Sequence, residues 1–197
     1  MPKIEYFYSL LSPFTYLAGM GLEEVAASHE VEIQYRPTDI AKVFAETGGL
    51  PVPQRHPFRQ EYRLQELMRL SRMNDAPLKI NPKHWPVDAT LASCTVLAVI
   101  NSGGPGGVIS HALLKACWAL DQDISDRETI AGVLREHGQD MDELGGAVDD
   151  AREEYDANTQ RALDQGVFGS PFYVVDGERF WGQDRLTHLD WHLSQVR

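Results

Sequence analysis

Five arginines lie close together between residues 55 and 72, where only two acidic residues oppose them and the net charge is +3. The arginines are Arg55, Arg59, Arg63, Arg69 and Arg72. Arg59 and Arg63 are four residues apart, so on a helix both can point to one side. Two guanidinium groups in that arrangement can hold a carboxylate. We therefore expect Arg59 and Arg63 to bind an anionic substrate, with Trp85 as an aromatic wall. The alternatives are a solvated helix face for the arginines and a core position for Trp85.

The cysteine and histidine residues offer little further chemistry. Cys94 and Cys117 form no C-x-x-C motif and have no histidine at metal-ligand spacing, which argues against a zinc finger and a dithiol redox site. Both lie on apolar stripes and are expected to be inert core thiols. His188 and His192 are four residues apart without a third ligand, so we expect no metal site.

The chain has 197 residues, of which 43% are hydrophobic and 24% are charged, a composition typical of a soluble globular protein. Its net charge of −11 argues against nucleic-acid binding, which needs a phosphate-neutralising surface. Most of the acidity lies in residues 121–164, with a net charge of −10. The first residues lack the pattern of a signal peptide, and the longest apolar stretch, residues 91–100, is about half the length of a membrane span. We therefore expect a cytoplasmic protein without a membrane partner.

The first 37 residues follow a β-α-β pattern. Residues 4–8 are apolar and aromatic, which predicts a buried strand, and residues 31–35 alternate apolar and polar side chains as a second strand does. Between them, Ser12 can cap a helix that begins at Pro13, because proline at the first helical position loses no hydrogen bond. A single helix is predicted from an apolar stripe made of Phe14, Leu17, Gly21 and Val25.

The rest of the chain is predicted to be helical in the middle and β-β-α at the end. Nothing between residues 36 and 166 resembles a strand, whereas several segments have helical periodicity. Residues 172–181 form a hairpin signal around Asp176-Gly177, which suits a type I′ turn. Asp184 can cap a final helix. The residues expected to face the core from that helix are Leu186, Leu189, Leu193 and Val196.

This order of elements predicts an α/β protein with the thioredoxin fold, β-α-β and β-β-α, and a large all-helical insertion. Residues 1–37 and 166–197 would form the thioredoxin-like domain, and residues 38–165 the insertion. The active group of that fold lies at the start of the first helix, where redox members carry Cys-x-x-Cys and this chain carries Ser12 and Thr15. The site cannot use a dithiol, but it can stabilise a thiolate brought by a ligand. Ser170-Pro171 is expected to form the cis-proline loop, which presents an extended edge to a peptide-like ligand.

Three motifs together resemble the 2-hydroxychromene-2-carboxylate isomerases and kappa-class glutathione transferases, in the DsbA-like branch of the thioredoxin superfamily. They are SPFTYLA at residues 12–18, GVFGSPF at residues 166–172 and FWGQDRL at residues 180–186. The resemblance runs from residue 4 to about residue 195. Two positions depart from the isomerase pattern: Ser9 replaces an aspartate, and Gly49 lies where the isomerases carry an asparagine.

The resemblance implies glutathione as the cofactor. Ser12 would hydrogen-bond the glutathione sulfur and favour its thiolate, while Ser170 and Pro171 would pair with the cysteinyl backbone. Asp184 and Arg185 would bind the charged ends of the tripeptide. The implied activity is a glutathione-dependent cis-trans isomerisation of conjugated aromatic 2-oxo acids in aromatic-compound degradation, and the implied assembly is a homodimer. In that reaction glutathione is a borrowed nucleophile.

Two alternatives stay open at this point. A kappa-like transferase would conjugate glutathione and release the product, whereas a non-catalytic binder would hold an extended peptide along the Pro171 edge. Ser12 and Asp184 could each have a purely structural role, because serine and aspartate are both good helix caps.

Overall fold

The structure, a computed structural model that describes residues 3–195, is built on a four-stranded mixed sheet. Its strands are β1 (Lys3–Tyr8), β2 (Glu32–Pro37), β3 (Phe172–Val175) and β4 (Glu178–Trp181). The spatial order is β2-β1-β3-β4; β1 and β2 are parallel, and the other neighbours are antiparallel. The first and last parts of the chain thus share one sheet, which confirms the predicted thioredoxin fold.

The described part of the chain also contains ten α-helices and two 3₁₀ segments, the first of which is Val52–Gln54. Between β1 and β2 lie α1 (Pro13–Leu17) and α2 (Gly21–His29). Between β2 and β3 lie α3 (Ile40–Thr47), α4 (Pro57–Met73), α5 (Thr90–Asn101), α6 (Gly106–Trp118), α7 (Arg127–Glu136), α8 (Met141–Leu144) and α9 (Ala147–Asp164). After β4 come a 3₁₀ turn (Gln183–Arg185) and α10 (Leu186–Gln195).

The middle of the chain is helical, as predicted, and no residue from 38 to 171 belongs to a strand. None of the helices within residues 3–195 combines the length and apolar character that a bilayer span requires. Leu189 and Leu193 of α10 are buried as expected. Val196 was predicted to join them, but it lies outside the described residues.

The prediction of a single helix after Ser12 is wrong. α1 ends at Leu17, and Gly19 adopts a φ of 60°, a left-handed conformation that favours glycine, before α2 begins at Gly21. A Cβ at Gly21 would lie only 2.8 Å from Leu186 Cδ1, so the chain approaches the start of α10 closely here. The apolar stripe is therefore divided between two short helices.

The hairpin between β3 and β4 matches its prediction. Asp176 and Gly177 have φ values of 50° and 83°, the two positive angles that a type I′ turn needs. The strands pair from Phe172 with Trp181 to Val175 with Glu178.

The main core includes buried residues from the sheet and from the helical middle. Tyr6 of β1 stacks on Tyr173 of β3 with ring centroids 5.3 Å apart. The same cluster contains Leu113 and Trp118 of α6, both almost fully buried. The division into a thioredoxin-like domain and an insertion at residues 38–165 stays a prediction, because the two segments share this core.

Glu5 of β1 joins three elements through ion pairs. Its carboxylate accepts hydrogen bonds from Arg36 Nε of β2 at 2.8 Å and from Arg161 Nη2 of α9 at 2.7 Å. Its side chain is only 13% exposed, so these contacts are poorly screened. The hydrogen bond from Arg161 is the largest cause of a Glu5 pKa below its ordinary value of 4.5.

We expect Glu5→Gln to lower the free energy of unfolding at neutral pH by about 2 kcal/mol, the scale of hydrogen bonds to charged groups. Because folding lowers the pKa of Glu5, its contribution is complete above the unfolded pKa and is lost as the pH falls through the folded pKa. The difference between the two proteins should therefore shrink as the pH falls below 4.5. Urea unfolding followed by circular dichroism at several pH values measures it.

Glu32→Gln is the matched control on the neighbouring strand. Glu32 pairs with Lys3, but both side chains are more than half exposed, so this change should alter stability by less than about 1 kcal/mol. An equal loss for the two variants would contradict the role given to Glu5.

Candidate active site

The turn between β1 and α1 presents Ser12 at the start of the helix. Ser12 N–H donates to Ser9 O at 3.0 Å, and the Ser9 hydroxyl accepts from Leu11 N–H at 3.2 Å. Ser12 is the N-cap of α1, as predicted, because its hydroxyl oxygen accepts from Thr15 N–H at 3.2 Å. The hydroxyl therefore has a fixed position at the start of α1.

The loop before β3 comes directly against this turn. Its Ser170-Pro171 peptide bond is cis, as the sequence predicted. The Ser12 hydroxyl donates to Ser170 O at 3.0 Å, while the Ser170 hydroxyl accepts from Ser9 N–H at 2.9 Å. Two segments separated by about 160 residues thus form one site, and Ser12, Ser170 and Pro171 are brought together.

Thr15 is a member of this site that sequence reasoning missed. Its side chain is almost fully buried, and its hydroxyl lies 2.8 Å from the Ser170 hydroxyl. The available signal was a second hydroxyl residue three positions after Ser12, a spacing that puts both side chains on the first helical turn.

Asp184 and Arg185 lie on the turn after β4, which packs against α1. Gly182 N–H at the start of that turn donates to Pro171 O at 3.0 Å and so links it to the cis-proline loop. Asp184 does not cap α10, because it lies inside the 3₁₀ turn and its carboxylate accepts from Arg185 Nη1 at 2.6 Å instead. Both side chains are about half exposed, so this ion pair can open to meet a ligand.

Trp85 contacts the Ser12 turn and in turn contacts Arg63. Trp85 Nε1–H donates to Leu11 O at 3.0 Å, next to Ser12. Arg63 Cζ of α4 lies 5.5 Å from the centroid of the Trp85 ring, in a cation–π contact. Trp85 also packs on Trp118 with centroids 5.3 Å apart. It is therefore both a member of the packed interior and a neighbour of the site.

Arg63 is a buried cation without a counter-ion among the described residues. Only 9% of the residue is exposed, and burial, followed by the charge of Arg55, lowers its pKa to about 10. It stays charged at neutral pH. Among residues 3–195, no carboxylate pairs with Arg55, Arg59 or Arg63, whereas Arg69 on the same helix pairs with Glu66.

Arg59 and Arg63 do not share one environment, since Arg59 is exposed. Arg55, which was counted in the cluster but not assigned to the site, links them electrostatically. Its own pKa is lowered by burial and by the charge of Arg59, and its charge in turn lowers the pKa of Arg63. The three guanidinium groups thus form a positive region that no carboxylate within residues 3–195 pairs with, and Arg63 connects it to the Ser12 turn through Trp85.

A cavity of about 200 Å³ lies beside the same turn. Its lining combines apolar side chains with two carboxylates and includes Ser9, Leu11, Ile40, Val87, Asp39 and Asp88. Asp39 and Asp88 make this cavity unfavourable for an anion. The arginines therefore offer the better place for a carboxylate.

Neither cysteine can act as a nucleophile at this site. Cys94 and Cys117 are buried and form no disulfide. Burial raises the pKa of both thiols, that of Cys117 to about 12, so both stay protonated at neutral pH. Within the described residues, no group of three His, Cys, Asp or Glu side chains is arranged to hold a metal ion.

Comparison with known proteins agrees with this architecture. The family model of the DSBA-like thioredoxin domain matches residues 3–194. A protein of Sphingobium xenophagum named 2-hydroxychromene-2-carboxylate isomerase is 27% identical over 194 residues, covering 96% of this chain and 97% of its own. Glutathione S-transferase kappa 2 of Caenorhabditis elegans is 25% identical, with 98% and 92% of the two chains covered.

A solved structure of a 2-hydroxychromene-2-carboxylate isomerase has the same fold. It superposes with a TM-score of 0.79 at 24% identity and covers 98% of this chain and 95% of its own. The match of the family model over nearly the whole chain confirms the resemblance read from the three motifs. This chain belongs to the DSBA-like thioredoxin domain family.

Proposed function

We propose that the protein is a glutathione-dependent cis-trans isomerase of the 2-hydroxychromene-2-carboxylate type. It would act on conjugated aromatic 2-oxo acids in aromatic-compound degradation, as a cytoplasmic homodimer. The observation that carries the proposal is the Ser12 hydroxyl, held at the start of α1 against the Ser170-Pro171 loop where redox relatives use a cysteine. The near-full-length relative named as an isomerase supports the same reaction class.

The residues around Ser12 suit a thiol tripeptide. Within residues 3–195 the Ser170 N–H donates to no other residue, so the loop offers a free donor beside the Ser170 carbonyl. Asp184 and Arg185 provide one negative and one positive group on the turn bonded to Pro171. Glutathione, when bound, would supply the thiolate that adds to the conjugated double bond, permits rotation and leaves again.

The chain's own contribution is to hold that sulfur in its ionised form and to orient the substrate. A hydroxyl donor favours a thiolate over a thiol because it hydrogen-bonds the charge. α1 has only five residues, so its macrodipole adds little and the Ser12 hydroxyl is the principal donor. Because both cysteines are buried and protonated, the reactive sulfur must come from the ligand.

Arg63, Arg59 and Trp85 would bind the other reactant. A substrate carboxylate would be the counter-ion that Arg63 lacks within residues 3–195, with Arg59 and Arg55 adding positive charge. Trp85 contacts both Arg63 and the carbonyl that precedes Ser12, so its ring can contact an aromatic ring attached to that carboxylate.

A kappa-like transferase is the second candidate, because a kappa-class relative covers as much of the chain as the isomerase does. Product analysis separates the two. An isomerase should interconvert 2-hydroxychromene-2-carboxylate and trans-o-hydroxybenzylidenepyruvate only when glutathione is present, with the total free thiol unchanged. A transferase would consume thiol and accumulate a conjugate.

Equal isomerisation without glutathione would contradict the proposed role of the thiol. A non-catalytic binder is distinguished by calorimetry, since it should take up an extended peptide and ignore glutathione.

A further inference from the structure

The Ser12 hydroxyl has a single proton, and that proton already takes part in a hydrogen bond. It is donated to Ser170 O at 3.0 Å, and the direction is certain because a carbonyl oxygen can only accept. The same hydroxyl oxygen accepts from Thr15 N–H. In this state Ser12 cannot donate to a sulfur atom until its bond to Ser170 O is broken.

The Ser170 carbonyl cannot simply move away, because its residue is held from several directions. The Ser170 hydroxyl accepts from Ser9 N–H at 2.9 Å and lies 2.8 Å from the hydroxyl of buried Thr15. The carbonyl of the next residue, Pro171, accepts from Gly182 N–H at 3.0 Å. The Ser170 oxygen therefore stays at the site, and it needs a replacement donor if Ser12 turns to a ligand.

We propose that an amide N–H of the thiol ligand replaces the Ser12 hydroxyl as the donor to Ser170 O. The Ser12 hydroxyl is then free to donate its hydrogen bond to the ligand's sulfur. The inference rests on the proposed function and deepens it, because it makes thiolate stabilisation depend on a second recognition event. The ligand class it selects is a thiol whose carbon skeleton carries a backbone-like amide N–H next to the thiol-bearing carbon. A thiol without that N–H leaves Ser12 bonded to Ser170 and is not ionised by the site.

The exchange conserves hydrogen bonds only when the amide N–H is present. With it, Ser170 O keeps one donor and the thiolate gains one. Without it, stabilising the thiolate leaves Ser170 O without its only donor among the described residues. Leaving a partly buried acceptor unsatisfied weakens the thiolate complex by about tenfold or more.

The test compares glutathione with an analogue in which an ester oxygen replaces the cysteinyl amide N–H and every other group is kept. The pKa of each bound thiol is measured by a pH titration of thiolate absorbance, and the dissociation constant is measured by calorimetry. With the wild-type chain, we expect the pKa of the thiol to be lower in bound glutathione than in the bound ester analogue, by about one unit or more. The ester should also bind about tenfold more weakly at neutral pH.

The same two ligands are then compared with the Ser12→Ala variant. In that variant the pKa of the bound thiol should no longer depend on whether the ligand has the N–H, because no serine proton remains to be released. Ser102→Ala is the matched control: the Ser102 hydroxyl also donates to a backbone carbonyl, Val99 O at 2.8 Å, but belongs to the end of α5. This variant should behave as wild type does.

Two outcomes overturn the exchange while leaving the proposed function intact: equal ionisation of the two ligands in the wild type, or a difference that persists in Ser12→Ala. Failure of glutathione itself to bind the wild-type chain overturns the proposed function and this inference together. The comparison in the wild type needs no variant, so it stands even if Ser12→Ala folds poorly.

Discussion

Ser12→Ala is expected to lower kcat/KM of the glutathione-dependent isomerisation by about a hundredfold, the scale found when one preorganised donor to a reacting anion is removed. The physical reason is the loss of the Ser12 hydroxyl, which is held at the start of α1 and would donate a hydrogen bond to the glutathione sulfur. The pKa of the bound glutathione thiol should rise in the variant. Steady-state kinetics with saturating glutathione, together with the pH profile of kcat, measures both effects.

The same substitution also removes a helix cap, so its stability effect has to be separated from its catalytic one. Loss of a serine N-cap lowers the free energy of unfolding by about 1 kcal/mol. Asp126→Ala is the matched control, because Asp126 caps α7 by accepting from Thr129 N–H at 2.9 Å. It should lose similar stability and keep its activity. A comparable loss of activity in both variants would show that Ser12 acts through folding alone.

The fold could be predicted because its signals are local. Pro13 after a capping serine, alternation in β2 and Asp176-Gly177 in the hairpin each determine the backbone within a few residues. The break at Gly19 could not be predicted in this way. The stripe through Phe14 and Gly21 has the spacing of one continuous helix, and that spacing contains no sign of the left-handed φ at Gly19 or of the close approach of Gly21 to Leu186 from a distant part of the chain.

The same distinction applies to the candidate site. The meeting of Ser12 with Ser170 follows from the fold once the fold is recognised. The hydrogen bond from Ser12 to Ser170 O, the link of Thr15 to Ser170 and the ion pair of Asp184 with Arg185 depend on side-chain directions. Sequence spacing does not fix these directions, because each depends on a packed neighbour.

Arg63→Met is expected to raise the KM for the carboxylate substrate by about tenfold to a hundredfold, the range for a hydrogen bond between charged groups. Arg63 is buried against Trp85, and no carboxylate within residues 3–195 neutralises it. Folding lowers its pKa to about 10, so the charged form is less favourable in the folded protein than in the unfolded chain at neutral pH. Methionine removes that charge and keeps much of the side-chain volume. Stability should therefore stay equal or rise while substrate binding weakens.

A structural role for Arg63 predicts the opposite pattern, with lower stability and a general loss of activity. Arg69→Met is the control on the same helix: Arg69 already pairs with Glu66 and is half exposed, so its KM effect should be below about twofold.

The methyl ester of the substrate gives the sharper comparison. Because the ester has no negative charge, wild type and Arg63→Met should turn it over with similar KM. If Arg63→Met raises the KM for the ester and the KM for the carboxylate equally, Arg63 does not bind the substrate carboxylate, and the buried cation needs another partner.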